Sequence, residues 1–370
     1  MTRTQLQDYW PRHGGEVKNN FTLFSTKGNT LKKLLAAIAT AALVTTTLVA
    51  GSVAPASAAT KLKIAHIPKL GTIGYFQAAD KGVQRACKAL KATCAYKGPT
   101  EITAAAQVKE INAAVQSGYN VIILAANDKD ALVPALKAAR KKGVTVVTYD
   151  SDVAQAGRSV FINQASSKGI GQALAASAND LAKGEGEIAI LSTTPDATNQ
   201  NVWIEFMKEE IAAKYPKLKV VATAYGLDKP EESTTETQGI IQKNPNVEVI
   251  VAPTSVGIVA AAKYVSGSAS KGKVFVTGLG LPNDMKTYIK DGSDAQASLW
   301  DVENFGFVAV QVANSIINQK ASVKVGAKVK SAKGDKGLKT RTVTKGAVGN
   351  EIILGPATVF TKENVDGFNF

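Results

Sequence analysis

From Lys61 onward, short apolar runs alternate with longer stretches in which apolar residues recur every three or four positions. KLKIAHI (61–67), NVIILAA (120–126) and GVTVVTYD (143–150) are almost continuously apolar, as parallel strands covered on both faces should be. Between them the spacing predicts helices over 75–92, 104–117 and 130–142. The rhythm restarts after SVFINQ (159–164). Strands EIAILS (187–192), KVVATAYG (219–226), EVIVAP (248–253) and KVFVTG (273–278) then alternate with helices near 166–183, 198–214, 231–243 and 254–266. AQASLWD (295–301), a helix over 302–319 and two short strands around Ile352 and Val359 end the pattern.

This is an α/β chain of two similar doubly wound parallel-sheet lobes. The join at 161–165 is short and apolar, so the lobes are expected to be linked by close-set hinge crossovers. The expected division places residues 60–163 and 280–320 in lobe one, and 164–279 and 321–370 in lobe two. Open α/β sheets bind ligands beyond the carboxyl ends of their strands. That rule selects Lys69, Asn127, Asp128, Asp150, Asp152, residues 193–200, 253–255 and 278–282, Trp300 and Asp301.

Residues 1–59 change the compartment. Lys32 and Lys33 precede an apolar run from Leu34 to Gly51 and then Ala56-Ser57-Ala58, the layout of a signal peptide. Export to a periplasmic or extracellular location follows, and no cysteine lies after the run to carry a lipid. The segment before Lys32 is long for such a leader, so translation is expected to start at Val17. A precursor mass that retains Met1 would exclude this.

The formal net charge is +14, and part of it is local: Lys320 to Lys345 holds nine Lys or Arg against Asp335 alone. That run has no aromatic residue and is interspersed with Gly and Ser, so it reads as a solvated surface segment and not as a nucleic-acid site. The only cysteines, Cys87 and Cys94, would stand about 10.5 Å apart on one continuous helix. If the helix ends near Ala92, a disulfide becomes feasible, and export favours it; two free thiols are the alternative.

Of the two histidines, His13 lies in the leader and His66 inside the first strand, which excludes a Ser-His-Asp triad and a zinc site built on histidines. His66 reads as a hydrogen-bonded core residue. IPKLGTIGYF after the first strand lacks a dinucleotide or phosphate-loop pattern. No catalytic residue, metal or cofactor is expected, and the chain is expected not to be an enzyme. The acids of TYDSD keep four readings open: a metal site for sugar chemistry, paired catalytic carboxylates, a cap at Asp152, or acceptors for ligand hydroxyls.

GPTE (98–101), ANDKDALVPALK (126–137), TYDSD (148–152), TNQNVW (198–203), VIVAPTSVG (249–257), VTGLGLP (276–282) and LWD (299–301) together resemble the periplasmic-type (type I) sugar-binding proteins of ABC importers. The resemblance runs from Lys61 to Phe370 and is nearest to the rhamnose-binding branch, with the autoinducer-2-binding branch as its relative. It implies a monomeric extracytoplasmic receptor that closes around one monosaccharide, a rhamnose-like deoxyhexose, and delivers it to an ABC permease. Autoinducer-2 or another small polyol is the alternative ligand; a metal-dependent sugar enzyme at Asp150 and Asp152 is the third reading.

Lys69, Asp150, Gln200 and Pro253 match the ligand set of the autoinducer-2 branch. Asn199 and Ser255 depart from it, standing where that branch has Asp and Ala. A neutral sugar both donates and accepts, so acceptors, amides and a cation are needed together. The implied ligand-binding residues are Lys69, Phe76, Asp150, Asn199, Gln200, Pro253, Ser255 and Trp300. Tyr75, Asn127, Asp128, Asp152, Trp203 and Asp301 form an outer set, with Asp152 read as support for its loop. Lys69, Phe76, Asp150 and Trp300 are assigned to lobe one, the rest of the inner set to lobe two.

Overall fold

The computed structural model describes residues 59–330 and 340–370. The expectations about the leader, its signal sequence, the missing lipid-bearing cysteine and the start at Val17 lie outside these residues. The first half of the chain runs β1 (Lys63–Ile67), α1 (Gly74–Leu90), β2 (Thr93–Tyr96), α2 (Ala104–Gln116), β3 (Val121–Leu124), α3 (Val133–Lys141), β4 (Thr145–Tyr149) and β5 (Val160–Asn163). The second repeats the rhythm: α4 (Ser167–Leu181), β6 (Gly186–Ser192), α5 (Thr198–Lys214), β7 (Leu218–Tyr225), α6 (Pro230–Lys243), β8 (Val247–Ala252), α7 (Ser255–Ser266), β9 (Phe275–Leu279), α8 (Pro282–Asp291) and β10 (Asp294–Leu299). It closes with α9 (Val302–Asn318), β11 (Lys328–Lys330), β12 (Thr340–Thr342), β13 (Thr344–Gly346), β14 (Gly349–Ile353) and β15 (Thr358–Phe360).

Two sheets carry the lobes. Among the described residues their strand orders are β13-β14-β5-β4-β3-β1-β2 and β15-β10-β9-β8-β6-β7. Neighbours are parallel except β13–β14 and β10–β15. The same winding therefore recurs, reversing direction between β1 and β3 in one lobe and between β6 and β8 in the other. Those reversals open the crevices in which such sheets take ligands. β3 is buried along its whole length, as its uninterrupted Val-Ile-Ile-Leu requires.

The expected lobe boundary needs correction. Residues 280–299 stay with the second sheet, where α8 leads into β10 beside β9. After α9 the chain stays with lobe one: β14 lies parallel to β5, pairing Glu351 with Phe161 and Ile353 with Asn163. Only β15 returns to the second sheet. The chain therefore crosses between lobes after β5, at Trp300-Asp301 and after β14. A three- to five-residue strand has no sequence mark for the sheet edge it will complete, which is why the last two strands were not separable beforehand. α8 was absent from the sequence pattern, although Pro282 opens it and Gly292, at φ 83°, ends it.

α1 and α9 pack closely because glycines meet there. A Cβ on Gly82 would strike the Glu303 carbonyl, and one on Gly306 the Ala79 carbonyl. At its far end α1 stops at Leu90, with Lys91 in the left-handed region, so Cys94 falls in β2. Cys87 and Cys94 are disulfide-bonded, their Cα atoms 6.3 Å apart. Replacing Cys87 with serine is expected to lower stability by about 2 kcal/mol by loop-closure entropy. Denaturant unfolding with and without reductant measures this; equal midpoints would remove the bridge as a stabiliser.

The basic run is only partly a solvated surface. Arg341 is buried and donates to the carbonyls of Ile353 (3.2 Å) and Leu354 (2.7 Å), which ties β12 to the last crossover. Residues 331–339 lie outside the described part.

Candidate functional site

The site grows from one irregular turn. β4 ends at Tyr149, and Asp150 has φ 62°, a left-handed conformation that a residue with a side chain adopts at a cost. The Ser151 N–H donates to the Tyr149 carbonyl at 2.6 Å, closing a three-residue turn around Asp150. A γ-turn with positive φ at its centre is rare and strained. It swings the Asp150 carboxylate out of the strand direction and into the cleft. Strain of this kind concentrates where a group must be aimed.

What meets Asp150 comes from both lobes. The Tyr75 hydroxyl donates to Asp150 Oδ1 at 3.0 Å, and Trp300 Nε1 donates to the Tyr75 oxygen at 2.9 Å. Lys69 Nζ stands 3.9 Å from Asp150 Oδ2 and donates to Asn199 Oδ1 at 3.0 Å. Asn199 Nδ2 in turn reaches the Asp150 carbonyl (3.2 Å) and Oδ2 (3.3 Å). Asn199 sits in the first turn of α5, so these bonds join lobe two to lobe one. Gln200 Oε1 accepts from Ser192 Oγ (2.7 Å) and Thr193 N–H (3.0 Å), which leaves its amide nitrogen to offer a ligand.

Burial pushes the Asp150 carboxyl above its ordinary pKa; the Lys69 ammonium and the Tyr75 hydroxyl oppose this, Asp228 adds to it, and the Asn199 amide opposes it. Burial, with Asp150 nearby, also raises the Tyr75 phenol well above its usual value, so it stays a neutral donor. Trp300 packs edge-on against Trp203 at 6.1 Å and Tyr75 at 6.2 Å, and Tyr75 against Phe76 at 5.1 Å.

These groups line a cavity of about 40 Å³, completed by Ile73, Asp228, Pro253, Thr254, Ser255, Leu279 and Leu299. That is room for a few waters, so a sugar must part the side chains that touch across it. One cation and two carboxylates line it, a balance that disfavours anionic ligands and suits hydroxyl donors.

Residues 64–321 match the family model described as a periplasmic binding protein domain. The chain belongs to that family. Within it, the chain is similar over 84% of its length to an ABC transporter solute-binding protein from Clostridium phytofermentas with bound L-rhamnose, at 36% identity, TM-score 0.80 and 98% of that chain. LsrB from Clostridium saccharobutylicum in complex with AI-2 is 29% identical over 84% of this chain and 100% of its own, TM-score 0.78. The D-ribose/D-allose-binding protein of Pseudomonas aeruginosa is 24% identical over 201 residues, 52% of this chain and 61% of that protein, so the chain spans less than two thirds of this curated relative.

For this family member, the structure gathers at one cavity the whole inner set from the sequence, with Tyr75 and Trp203 from the outer one. Trp300 is not a lobe-one residue as assigned; it follows β10 of the second sheet and bridges to α9. The remaining outer residues serve the scaffold. Asn127 Nδ2 donates to the Lys69 carbonyl at 3.0 Å and holds that loop. Asp128 accepts the N–H groups of Asp130 and Ala131, and Asp301 caps α9 through the Asn304 N–H.

Asp152 is bound on both oxygens by Arg158, Nε to Oδ1 and Nη2 to Oδ2, each at 2.6 Å. Thr148 Oγ1 and the Val153 N–H also donate to Oδ1, so this carboxylate has little left for a metal shared with Asp150. Among the described residues no cluster of three or more His, Cys, Asp or Glu could hold a metal. His66 is fully buried, with Nδ1 2.8 Å from Asp80 Oδ1 and Nε2 2.7 Å from the Tyr149 hydroxyl, a core role. Sequence reasoning missed Asp228, and it reached Thr254 only within the strand-end stretch 253–255, without placing it among the implied ligand residues. The strand-end rule would have reached Asp228 had it been applied to β7.

Proposed function

We propose that the protein is an extracytoplasmic receptor that captures one neutral monosaccharide, a rhamnose-like deoxyhexose, between its lobes and delivers it to an ABC permease. The observation that carries this reading is the mixed set around one inter-lobe cavity. Asp150 accepts, Lys69 and the Gln200 amide donate, and Trp203, Trp300 and Phe76 offer apolar surface to C–H faces and a methyl group. The likeness to a relative crystallised with L-rhamnose supports the same ligand class. Micromolar affinity corresponds to about −8 kcal/mol, which a few charge-assisted bonds and a stacked ring can supply after ordering costs.

A second reading, autoinducer-2 or another small polyol, is favoured by Lys69, Asp150, Gln200 and Pro253 and by the likeness to LsrB. Calorimetric titration of refolded, ligand-stripped protein with L-rhamnose, other deoxyhexoses and pentoses, and autoinducer-2 separates the two. The expected result is micromolar L-rhamnose binding that chelator does not change. Binding only of autoinducer-2 would move the ligand, and binding only with a divalent metal would sink the receptor reading.

A further inference from the structure

Asp228 follows β7 on the second lobe and lines the same cavity as Asp150. It also lines a wider cavity of about 870 Å³ that extends past Tyr75 toward α6 and α7, so it stands on the wall shared by the two spaces. Its backbone is held in place. Leu227 and Asp228 are both left-handed, with φ 55° and 47°. The Gly226 N–H donates to the Ser192 carbonyl at 2.9 Å and the Leu227 N–H to the Thr193 carbonyl at 2.8 Å. Both acceptors lie at the end of β6, where Gln200 is also fixed.

The side chain is held as well. Thr254 accepts the Gly257 N–H (3.3 Å) at the start of α7 and donates its hydroxyl proton to Asp228 Oδ1 at 2.5 Å. Lys229 does not neutralise the carboxylate, since its ammonium pairs with Glu232 at 3.2 Å. Asp228 Oδ2 has no hydrogen-bond partner among the described residues. A half-buried, anchored carboxylate with one oxygen unused, on the wall of a ligand cavity, is an acceptor awaiting a donor.

We propose that Asp228 is the second carboxylate of the ligand site, taking one sugar hydroxyl from lobe two while Asp150 takes others from lobe one. Closure then brings two like charges toward one cavity, and hydroxyl donors between them relieve that repulsion. The effect of Asp228 on the Asp150 carboxyl is consistent with this electrostatic coupling. Ligand hydroxyls thus link the lobes through both acids, and Asp228 selects for the position of one of them. The inference rests on the sugar-receptor reading.

The test is calorimetric titration of wild type, Asp228→Ala and Thr254→Val with L-rhamnose and with its 2-, 3- and 4-deoxy analogues. Asp228→Ala is expected to weaken L-rhamnose by roughly 100-fold, the scale of one or two lost charge-assisted bonds. Thr254→Val should cost about tenfold by loosening the carboxylate. One deoxy analogue should bind wild type and Asp228→Ala equally, because the missing hydroxyl and the missing acceptor form one pair. Unchanged affinity in Asp228→Ala, or an equal loss for every analogue, overturns the proposal. If wild type ignores L-rhamnose but binds another compound, the ligand assignment fails, and the same variants titrated with that compound decide Asp228. Silence toward every sugar and polyol removes both.

Discussion

Replacing Asp150 with asparagine is expected to weaken sugar binding by about 10²-fold or more while leaving the ligand-free protein at least as heat-stable as wild type. The loss follows from two charge-assisted bonds, each about 1.5–3 kcal/mol, that a neutral amide cannot equal. The retained stability follows from the raised pKa: burial makes the ionised carboxyl costly in the folded state despite Lys69 and Tyr75. An aspartate whose folded pKa lies above its unfolded value binds more protons folded than unfolded in the interval between the two. Stability of the unliganded protein therefore rises as pH falls through that interval, which lies above 3.8.

Affinity moves the other way, since protonation removes the anionic acceptor. Titration and thermal unfolding over the acidic range should give opposite slopes. A melting temperature that drops by several degrees in Asp150→Asn would mean that the carboxylate holds the fold and not the ligand.

Arg158→Met is expected to cost about 3–5 kcal/mol, because it strips the partner from a buried carboxylate. Arg158 also donates Nη1 to the Asn350 carbonyl at 2.8 Å and to its Oδ1 at 2.6 Å, so it fastens the β4–β5 loop to β14. At roughly 2–4 °C per kcal/mol, the melting temperature should fall by about 10 °C. Adding Asp152→Leu should restore more than half of that, since the unpaired buried charge causes most of the damage. Ligand affinity measured well below the transition should change by only a few-fold, because Asp152 and Arg158 do not line the cavity around Asp150, Lys69 and Trp300. A single substitution that leaves the melting temperature unchanged, or a double one that lowers it further, would refute this account.

These two carboxylates, two residues apart in one sequence stretch, locate the limit of what the chain reveals by itself. Period and apolarity marked the strands of both lobes because each is covered on both faces, and burial leaves a pattern along the chain. The strand-end rule then marked Lys69, Asp150, Gln200 and Pro253, since the fold class fixes which end of a strand faces ligand. The resemblance to sugar receptors added Phe76, which the strand-end rule had not selected.

Position at the strand end already put Asp150 in the ligand set and Asp152 in support of its loop; what left no local mark is the means, a γ-turn at one and an arginine six residues away at the other. Asp228 lies two residues past KVVATAYG, within reach of the strand-end rule, but in none of the stretches that carry the resemblance. β14 was assigned to the wrong lobe, and β15 to the right one, because a pairing partner as far along the chain as β5 leaves no local trace. The sequence alone therefore determined the two-lobed α/β architecture and the inventory of sugar-binding chemistry, both written in residue type and spacing. Which lobe β14 completes, what holds each of the two carboxylates in its place and which acid faces the cleft from the other lobe were decided only in three dimensions, where turns, ion pairs and packing between distant segments set the direction of each side chain.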